Sequence, residues 1–397
     1  LERIVLLRDT GSRPNGASFL DELLAEGTII DDDELDERVA GIGGSDVSDM
    51  LFTSGTTGAP KGVVQTHAAT LRAFLDWSTL VGLRSDDRYL IINPFFHSFG
   101  YKAGILACLM TGATMVPLPV FDVDAAVDAI ESERISMIPG PPTLYQTLLH
   151  HPRFDRTRVD TLRLAVTGAA VVPVELVVAM QAELGFETVL TAYGLTEASG
   201  VVTVCRSDDS PETIAATSGR AIPGVEVIVV DDDGDRLGVG EPGEVLVRGY
   251  NVMREYFEDP AQTAEAIDAD GWLHTGDVGT LDADGYLKIT DRTKDMFIVG
   301  GFNAYPAEIE SLLLAHPGIA QVAVVGVPDE RQGEVGVAFA VPVAGAVLDP
   351  TEVIGWAREH MANYKVPRRV EVVDALPLNA SGKVLKFELR DRATAGS

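Results

Sequence analysis

Cysteine is nearly missing from these 397 residues: only Cys108 and Cys205 are present. Two thiols in apolar stretches, with no spacing pattern, exclude a disulfide framework and suit a reducing, cytoplasmic compartment. The seven histidines are scattered, so no Cys/His metal cluster is visible. Positive charge is short as well. Lys and Arg number 31 against 60 Asp and Glu, a net charge of −29. Such a chain repels nucleic acid and anionic membranes, so neither is expected as a partner. Long hydrophobic runs are lacking. The weakly polar stretch 103–120 is broken by Gly104, Thr111, Gly112, Thr114, Pro117 and Pro119. It predicts a buried helix followed by a strand rather than a membrane span.

What is present is a core. Hydrophobic residues make up 46% of the chain, enough for two or more domains. The opening LERIVLL reads as a core strand, and a start at Leu1 suggests a truncated chain. Residues 11–49 read as loops around one acidic helix, with acids such as Asp31-Asp32-Asp33 in turns. From 48 to about 213, apolar strands (88–95, 113–119, 136–140, 163–169, 188–194) alternate with helical patterns (123–134, 174–184). That alternation predicts an α/β fold with a mostly parallel, doubly wound sheet. Residues 225–249 then alternate apolar and polar residues around Asp-Gly turns, which predicts antiparallel hairpins. The expected division is a large domain over 1–293, with an α/β part to about 215 and a β-rich part over 216–293. A small α+β domain over 294–397 follows, with a hinge near Lys294. In it, helices are expected at 306–315 and 351–364, strands at 320–328 and 335–343, and a loop-rich tail.

The most informative segment is TSGTTGAPKG, residues 53–62. It sets Thr53, Ser54, Thr56 and Thr57 among Gly55, Gly58 and Gly62, and adds one cation, Lys61. Small residues let backbone N–H groups turn toward an anion, and hydroxyls add donors. Met50-Leu51-Phe52 reads as a strand end and 66–75 as a helix, a strand–loop–helix unit suited to a nucleotide phosphate chain. It is not a Walker A loop, because Lys61 is followed by Gly62 rather than Ser or Thr.

Five more segments carry polar groups at strand ends or turns: NPFFHSFG (93–100) with His97, TGAA (167–170), YGLTE (193–197), TGD (275–277) leading into DRTKDMFIVGGFN (291–303), and LPLNASGKVLK (376–386). Each alone is weak: a lone histidine packs, an aspartate caps a turn, a lysine is solvated. Together and in this order, across 51–386, they resemble the adenylate-forming enzymes, which comprise acyl-CoA synthetases, peptide-synthetase adenylation domains and luciferases. Members of that family carry a longer stretch ahead of the present start, so a truncated large domain is expected.

The resemblance implies ATP, Mg2+ and CoA as cofactor and co-substrates, and a small-molecule carboxylic acid as substrate. Attack of a carboxylate on the α-phosphorus of ATP makes an acyl-AMP and releases pyrophosphate, so cations must screen two anions. By resemblance, Glu197 is the magnesium ligand and Thr196 donates to the α-phosphate. Lys61 and the loop hydroxyls hold the outer phosphates. Gly168, Ala169, Ala170 and Tyr193 form the adenine slot, and Asp277 and Arg292 bind the ribose. Lys383 bridges substrate carboxylate and α-phosphate. The small domain is mobile and turns about Lys294. One pose supplies Lys383; the other presents Gly300 and Gly301 beside a pantetheine tunnel gated by His97. Tyr364 and Arg368 match positions that meet the CoA nucleotide in some relatives, although Gln332 stands where some of those carry an aromatic residue.

Amino-acid adenylation domains place an aspartate near the FFHSFG position. None is present here, which favours an acyl-CoA ligase. Loading of a carrier protein, and a catalytically impaired nucleotide-binding fragment, are the alternatives. A homodimer is left open. Phe96, Phe99, Tyr101 and Ala198 suggest an apolar acid, and Lys102 either meets a polar substituent on it or lies outside the pocket. NPFFHSFGYKAG resembles actinobacterial synthetases that act on steroid-ring breakdown products, and fatty, aromatic and steroid-derived acids all stay open.

Overall fold

The structure is a computed structural model. It describes all residues except 1–3, 8–12, 28–30, 54–59, 120, 156–159, 169–171, 293–294, 330, 344, 379–383 and 396–397. The chain forms two units, Leu1–Val47 and Ser48–Ser397.

In the first unit, strands Ile4–Leu6 and Ala17–Phe19 pair in parallel. Two helices follow, Leu20–Gly27 and Asp32–Ala40, where one was expected. Asp31 is an N-cap rather than a turn residue, accepting from the Asp33 N–H. Asp32 and Asp33 then occupy the first turn, where the helix dipole favours negative charge. The opening strand is not a core strand: Ile4 is 45% and Leu7 75% exposed.

The second unit is organised by a seven-stranded sheet. In spatial order its strands are Arg220–Ala221, Thr203–Val204, Thr188–Tyr193, Leu164–Thr167, Met137–Pro139, Arg88–Ile91 and Thr114–Pro117. The last five run parallel. Apart from the edge strand Thr114–Pro117, which is largely exposed, their apolar residues are buried on both faces, as a parallel sheet covered by helices requires. Helices His67–Val81, Val123–Ser132, Pro142–Leu149 and Val174–Ala179 supply apolar cover.

One expected element changes. The glycine-rich loop does not lead directly into a helix. A strand, Lys61–Thr66, intervenes and joins Val47–Thr53 and Glu255–Tyr256 in a three-stranded sheet. Val63 and Val64 are β-branched and buried there, and Thr66 then caps helix His67–Val81.

The β-rich part is an antiparallel sheet of Val225–Val230, Gly243–Gly249, Leu273–Leu281 and Leu287–Arg292. Its turns repeat one device, Asp-x-Asp-Gly-x. Asp231, Asp268 and Asp282 each accept two backbone N–H groups from the residues two and four ahead, at 2.8–3.0 Å. This accounts for part of the acidic surplus as turn chemistry.

The C-terminal sheet contains Phe297–Val299, Phe302–Ala304, Ile319–Asp329, Gly333–Pro342 and Arg369–Val372. Helices Pro306–Leu313 and Pro350–His360 bury Ile309, Leu313, Val353 and Ala357 against one side. The tail is not loop-rich throughout: Lys386–Ala395 is a helix that buries Leu389 and Ala393 against Val325, Val327 and Phe339.

Candidate functional site

Strand Thr188–Tyr193 ends in a tight turn that carries Thr196 and Glu197 on one turn of 3-10 helix, Thr196–Ala198. Gly194 is required there, because a Cβ would lie 2.2 Å from the Gly200 carbonyl oxygen. Three fully buried polar residues clasp the turn: Gln65, Ser199 and Asn251. Gln65 Nε2 donates to the Thr196 carbonyl at 3.0 Å. Ser199 Oγ lies 2.8 Å from both Gln65 Oε1 and the Asn251 carbonyl, so its one proton is shared. Asn251 Nδ2 donates to the Val201 carbonyl at 2.8 Å. The neutral clasp fixes where the Glu197 carboxylate can reach.

Glu197 Oε1 accepts from the Tyr256 hydroxyl at 3.0 Å and lies 3.5 Å from Thr53 Oγ1. Thr53 is the last strand residue before the glycine-rich loop. Lys61, just beyond that loop, holds its ammonium 4.8 Å from the centre of the Tyr256 ring. Burial, with the Glu197 carboxylate beside it, raises the Tyr256 phenol well above its usual range, so it stays a hydrogen-bond donor. A cavity of about 240 Å³ opens here, lined by Phe52, Lys61, Tyr256, Phe257 and Gln262.

Asp277 is buried, 3% exposed, on strand Leu273–Leu281. Its Oδ2 accepts from the Tyr193 hydroxyl at 2.6 Å, so two sequence candidates from different sheets meet. Arg292 pairs with Asp277 in the strand register. Gly168 lies against the Ala192 carbonyl, where a Cβ would come within 3.0 Å.

His97 lies in the turn after Arg88–Ile91. Its Nδ1 accepts from the Phe99 N–H at 3.2 Å, and burial lowers its pKa from the ordinary 6.5. Both favour a neutral ring with its proton on Nε2. The segment Phe99–Leu106 that follows is a π-helix, a form that recurs at functional sites. Phe99 packs edge-on against Trp77, while Phe96 is 69% exposed. Lys102 is 0% exposed, and its ammonium lies 3.1 Å from Asp49 Oδ1 and 3.3 Å from Thr70 Oγ1. Asp49 Oδ2 also accepts from Ser48 Oγ at 2.6 Å. Burial lowers the Lys102 pKa, and Asp49 partly opposes this. Lys102 is thus committed to a structural pair, not presented to a substituent of the acid.

A second group gathers in the C-terminal region. Gly300 and Gly301 form the turn between Phe297–Val299 and Phe302–Ala304, with positive φ of 57° and 88°. Phe302 next to them stacks on Tyr364 at 5.1 Å. The Arg368 N–H donates to the Gly336 carbonyl at 2.8 Å, and Gln332 Oε1 lies 2.8 Å from where a Cβ on Gly300 would sit. Ser54, Gly55, Thr56, Thr57, Ala169, Ala170, Lys294 and Lys383 lie outside the described residues.

A family model described as AMP-binding enzyme matches residues 9–257, and one described as AMP-binding enzyme C-terminal domain matches 308–383. The chain belongs to the AMP-binding enzyme family. Two ligases for 3-[(3aS,4S,7aS)-7a-methyl-1,5-dioxo-octahydro-1H-inden-4-yl]propanoyl:CoA are close relatives. That of Rhodococcus jostii (strain RHA1) is 53% identical over 95% of this chain and 71% of its own length. That of Mycobacterium tuberculosis (strain ATCC 25618 / H37Rv) is 55% identical over 90% and 69%. The structure of o-succinylbenzoate CoA synthetase from Bacillus subtilis, in complex with its acyl-adenylate intermediate, superposes with a TM-score of 0.83. It is 30% identical and covers 98% of this chain and 78% of that one. The enzyme class is that of the AMP-forming acyl-CoA ligases, acid–thiol ligases with ATP and CoA as substrates.

Within this family member, four residues of the site escape sequence reasoning: Gln65, Ser199, Asn251 and Tyr256. Gln65 carried a usable signal, as a polar residue between buried valines and a helix cap. Tyr256 carried none, because it stands in a strand of two residues.

Proposed function

We propose that the protein activates an apolar, ring-bearing carboxylic acid as acyl-AMP and passes the acyl group to CoA. The observation that carries this reading is the approach of Glu197 to Thr53 at the root of the glycine-rich loop, with Lys61 on the same tyrosine. It sets one acid and one cation where a phosphate chain would lie. The Tyr193–Asp277 pair supports a nucleoside beside it, Asp277 offering acceptor oxygen to ribose hydroxyls. Gly168, Ala169 and Ala170 would flank the adenine, and Arg292 would add a ribose contact.

The carboxylate oxygen attacks the α-phosphorus; that P–O bond forms as the bond to pyrophosphate breaks. The CoA thiol then attacks the acyl carbon and AMP leaves. Thr53, Ser54, Gly55, Thr56, Thr57 and Lys61 would hold the outer phosphates, Thr196 the α-phosphate, and Lys383 the developing charge. The donor set fits Mg2+, which takes one or two protein carboxylates and fills its shell with phosphate and water. Glu197 would hold that ion, whose charge would screen the phosphates. Among the described residues no group of three or more His, Cys, Asp or Glu gathers to hold a metal, so the protein would supply few of its ligands. Lys294 as pivot, and Gly300, Gly301, Tyr364, Arg368 and His97 as the thiol side, belong to the same reading. The burial of both free thiols supports a reducing cytoplasm as the compartment.

The acid is drawn from the two relatives: a propanoate on a fused bicyclic diketone. Lys102 is unavailable to it, which supports recognition by apolar contact with few charges. Pyrophosphate release across a panel tests this. The bicyclic propanoate should exceed acetate and free amino acids by at least about a hundredfold in kcat/KM. ATP–pyrophosphate exchange with an amino acid, independent of CoA, would overturn the reading. Lys383→Ala should lower acyl-AMP formation by orders of magnitude yet spare thioester formation from supplied acyl-AMP. Equal loss of both steps would remove the two-pose assignment.

A further inference from the structure

Among the described residues, Tyr256 is the side chain that touches both Lys61 and Glu197, the two charged groups of the proposed phosphate site. Its ring lies under the Lys61 ammonium, and its hydroxyl donates to Glu197 Oε1. The backbone around it is held from two sides. Strand Glu255–Tyr256 pairs antiparallel with Lys61–Thr66, and the Tyr256 N–H donates to Thr263 Oγ1 at 2.9 Å. The Phe257 N–H adds a bond to the Gly62 carbonyl at 2.7 Å. The residue is 7% exposed. Such a residue is fixed by the fold rather than by its charged neighbours.

A lysine and a glutamate on one ring are an unstable arrangement unless something separates them. Opposite charges that can reach each other pair, and a paired Lys61 and Glu197 would be lost to ATP and metal alike. Among the described residues Lys61 forms no ion pair; its recorded contact is the π-face. That contact is weak enough to yield to a phosphate. The hydroxyl engages one Glu197 oxygen, as partners behind a metal ligand do.

We propose that Tyr256 is a positioning residue that holds Lys61 and Glu197 apart and aimed, so that Mg2+ and the ATP phosphates meet both unpaired. This rests on the roles given to Lys61 and Glu197 above.

Two variants separate the ring from the hydroxyl. Tyr256→Phe keeps the face under Lys61 and removes the donor to Glu197. It should raise the Mg2+ concentration for half-maximal pyrophosphate release by about tenfold or more, with the KM for the acid unchanged. The same displacement should appear without turnover, in the Mg2+ midpoint of the thermal shift induced by a non-hydrolysable ATP analogue. Tyr256→Leu removes both contacts. Metal-free ATP should then bind about twofold to fivefold more weakly by calorimetry, the range of a partly exposed ion pair. Adding Glu197→Gln to Tyr256→Leu should restore that affinity, because the competing charge is gone; damage to packing would not be rescued. A wild-type Mg2+ midpoint in Tyr256→Phe, with a raised one in Glu197→Gln, overturns the inference alone. Wild-type midpoints in both variants overturn the metal role of Glu197 and this inference together. A wild-type enzyme that binds Mg2+ and ATP normally but releases no pyrophosphate with any acid removes the proposed function and leaves the Tyr256 test standing.

Discussion

The two regions proposed to hold the nucleotide and the acid are anchored by opposite chemistry. The turn bearing Thr196 and Glu197 is clasped by Gln65, Ser199 and Asn251, all neutral and all buried. The π-helix after His97 is tied to strand Val47–Thr53 by a buried charge pair, Lys102 with Asp49. A neutral hydrogen bond contributes modestly and its loss strands a dipole. A buried ion pair contributes little net stability, but half of one is costly. The acyl side should therefore be the more brittle to single changes and the more tolerant of paired ones. The Lys102–Asp49 pair also links the strand that enters the glycine-rich loop to the segment expected to line the acid, so a fault there would disturb both segments.

The largest effect should come from breaking the pair on one side. Lys102→Met leaves the Asp49 carboxylate without its counter-charge and should cost about 3–5 kcal/mol, read from urea unfolding. Adding Asp49→Asn should recover most of that, since a neutral, well-filled pair site is often no less stable than the ionic one. The comparison breaks if the double variant is as unstable as the single. The intermediate effect belongs to the clasp. Asn251→Ala removes the donor to the Val201 carbonyl and should cost about 1–3 kcal/mol, with no second substitution that repairs it. A loss equal to that of Lys102→Met would erase the distinction between the two anchors.

The sequence showed the sheet of the second unit more readily than the clasp, for a physical reason. Strands at 88–91, 137–139, 164–167 and 188–193 are runs of large apolar residues between turn signals, a local pattern. Gln65 and Thr196 are 131 residues apart, and no local pattern joins them. Strand Lys61–Thr66 was hidden because glycine, proline and lysine at its start mimic a loop. Helix Lys386–Ala395 was hidden because half of KFELRDRATA is charged and it buries little beyond Leu389 and Ala393. In the first unit, LERIVLL had the composition of a core strand, yet its neighbour there is a strand of three residues that leaves Ile4 and Leu7 exposed. The positions of Glu197, Asp277 and Tyr193 were legible as motifs. That Tyr193 bonds Asp277, and that Tyr256 stands between Lys61 and Glu197, depends on the packing of separate sheets.

The smallest effect sharpens the acyl side through pH. His97 is exposed as a residue but accepts a backbone N–H at Nδ1 and is partly desolvated, and both favour the neutral ring. Its folded pKa lies below the unfolded value near 6.5, so the unfolded chain takes up the proton first as pH falls. The stabilisation due to neutral His97 is therefore complete above about 6.5 and is lost as pH drops through the lowered folded value. His97→Ala abolishes this contribution and leaves every other titration in place. The difference in urea midpoint between wild type and variant should hold steady from pH 8 to 7 and narrow toward pH 5. The effect should be slight, because part of the side chain reaches water, and it should be independent of Lys102. A difference that stays constant over the whole range would mean that the imidazole titrates alike in the folded and unfolded chain. The Phe99 N–H contact would then play no part in keeping the ring neutral.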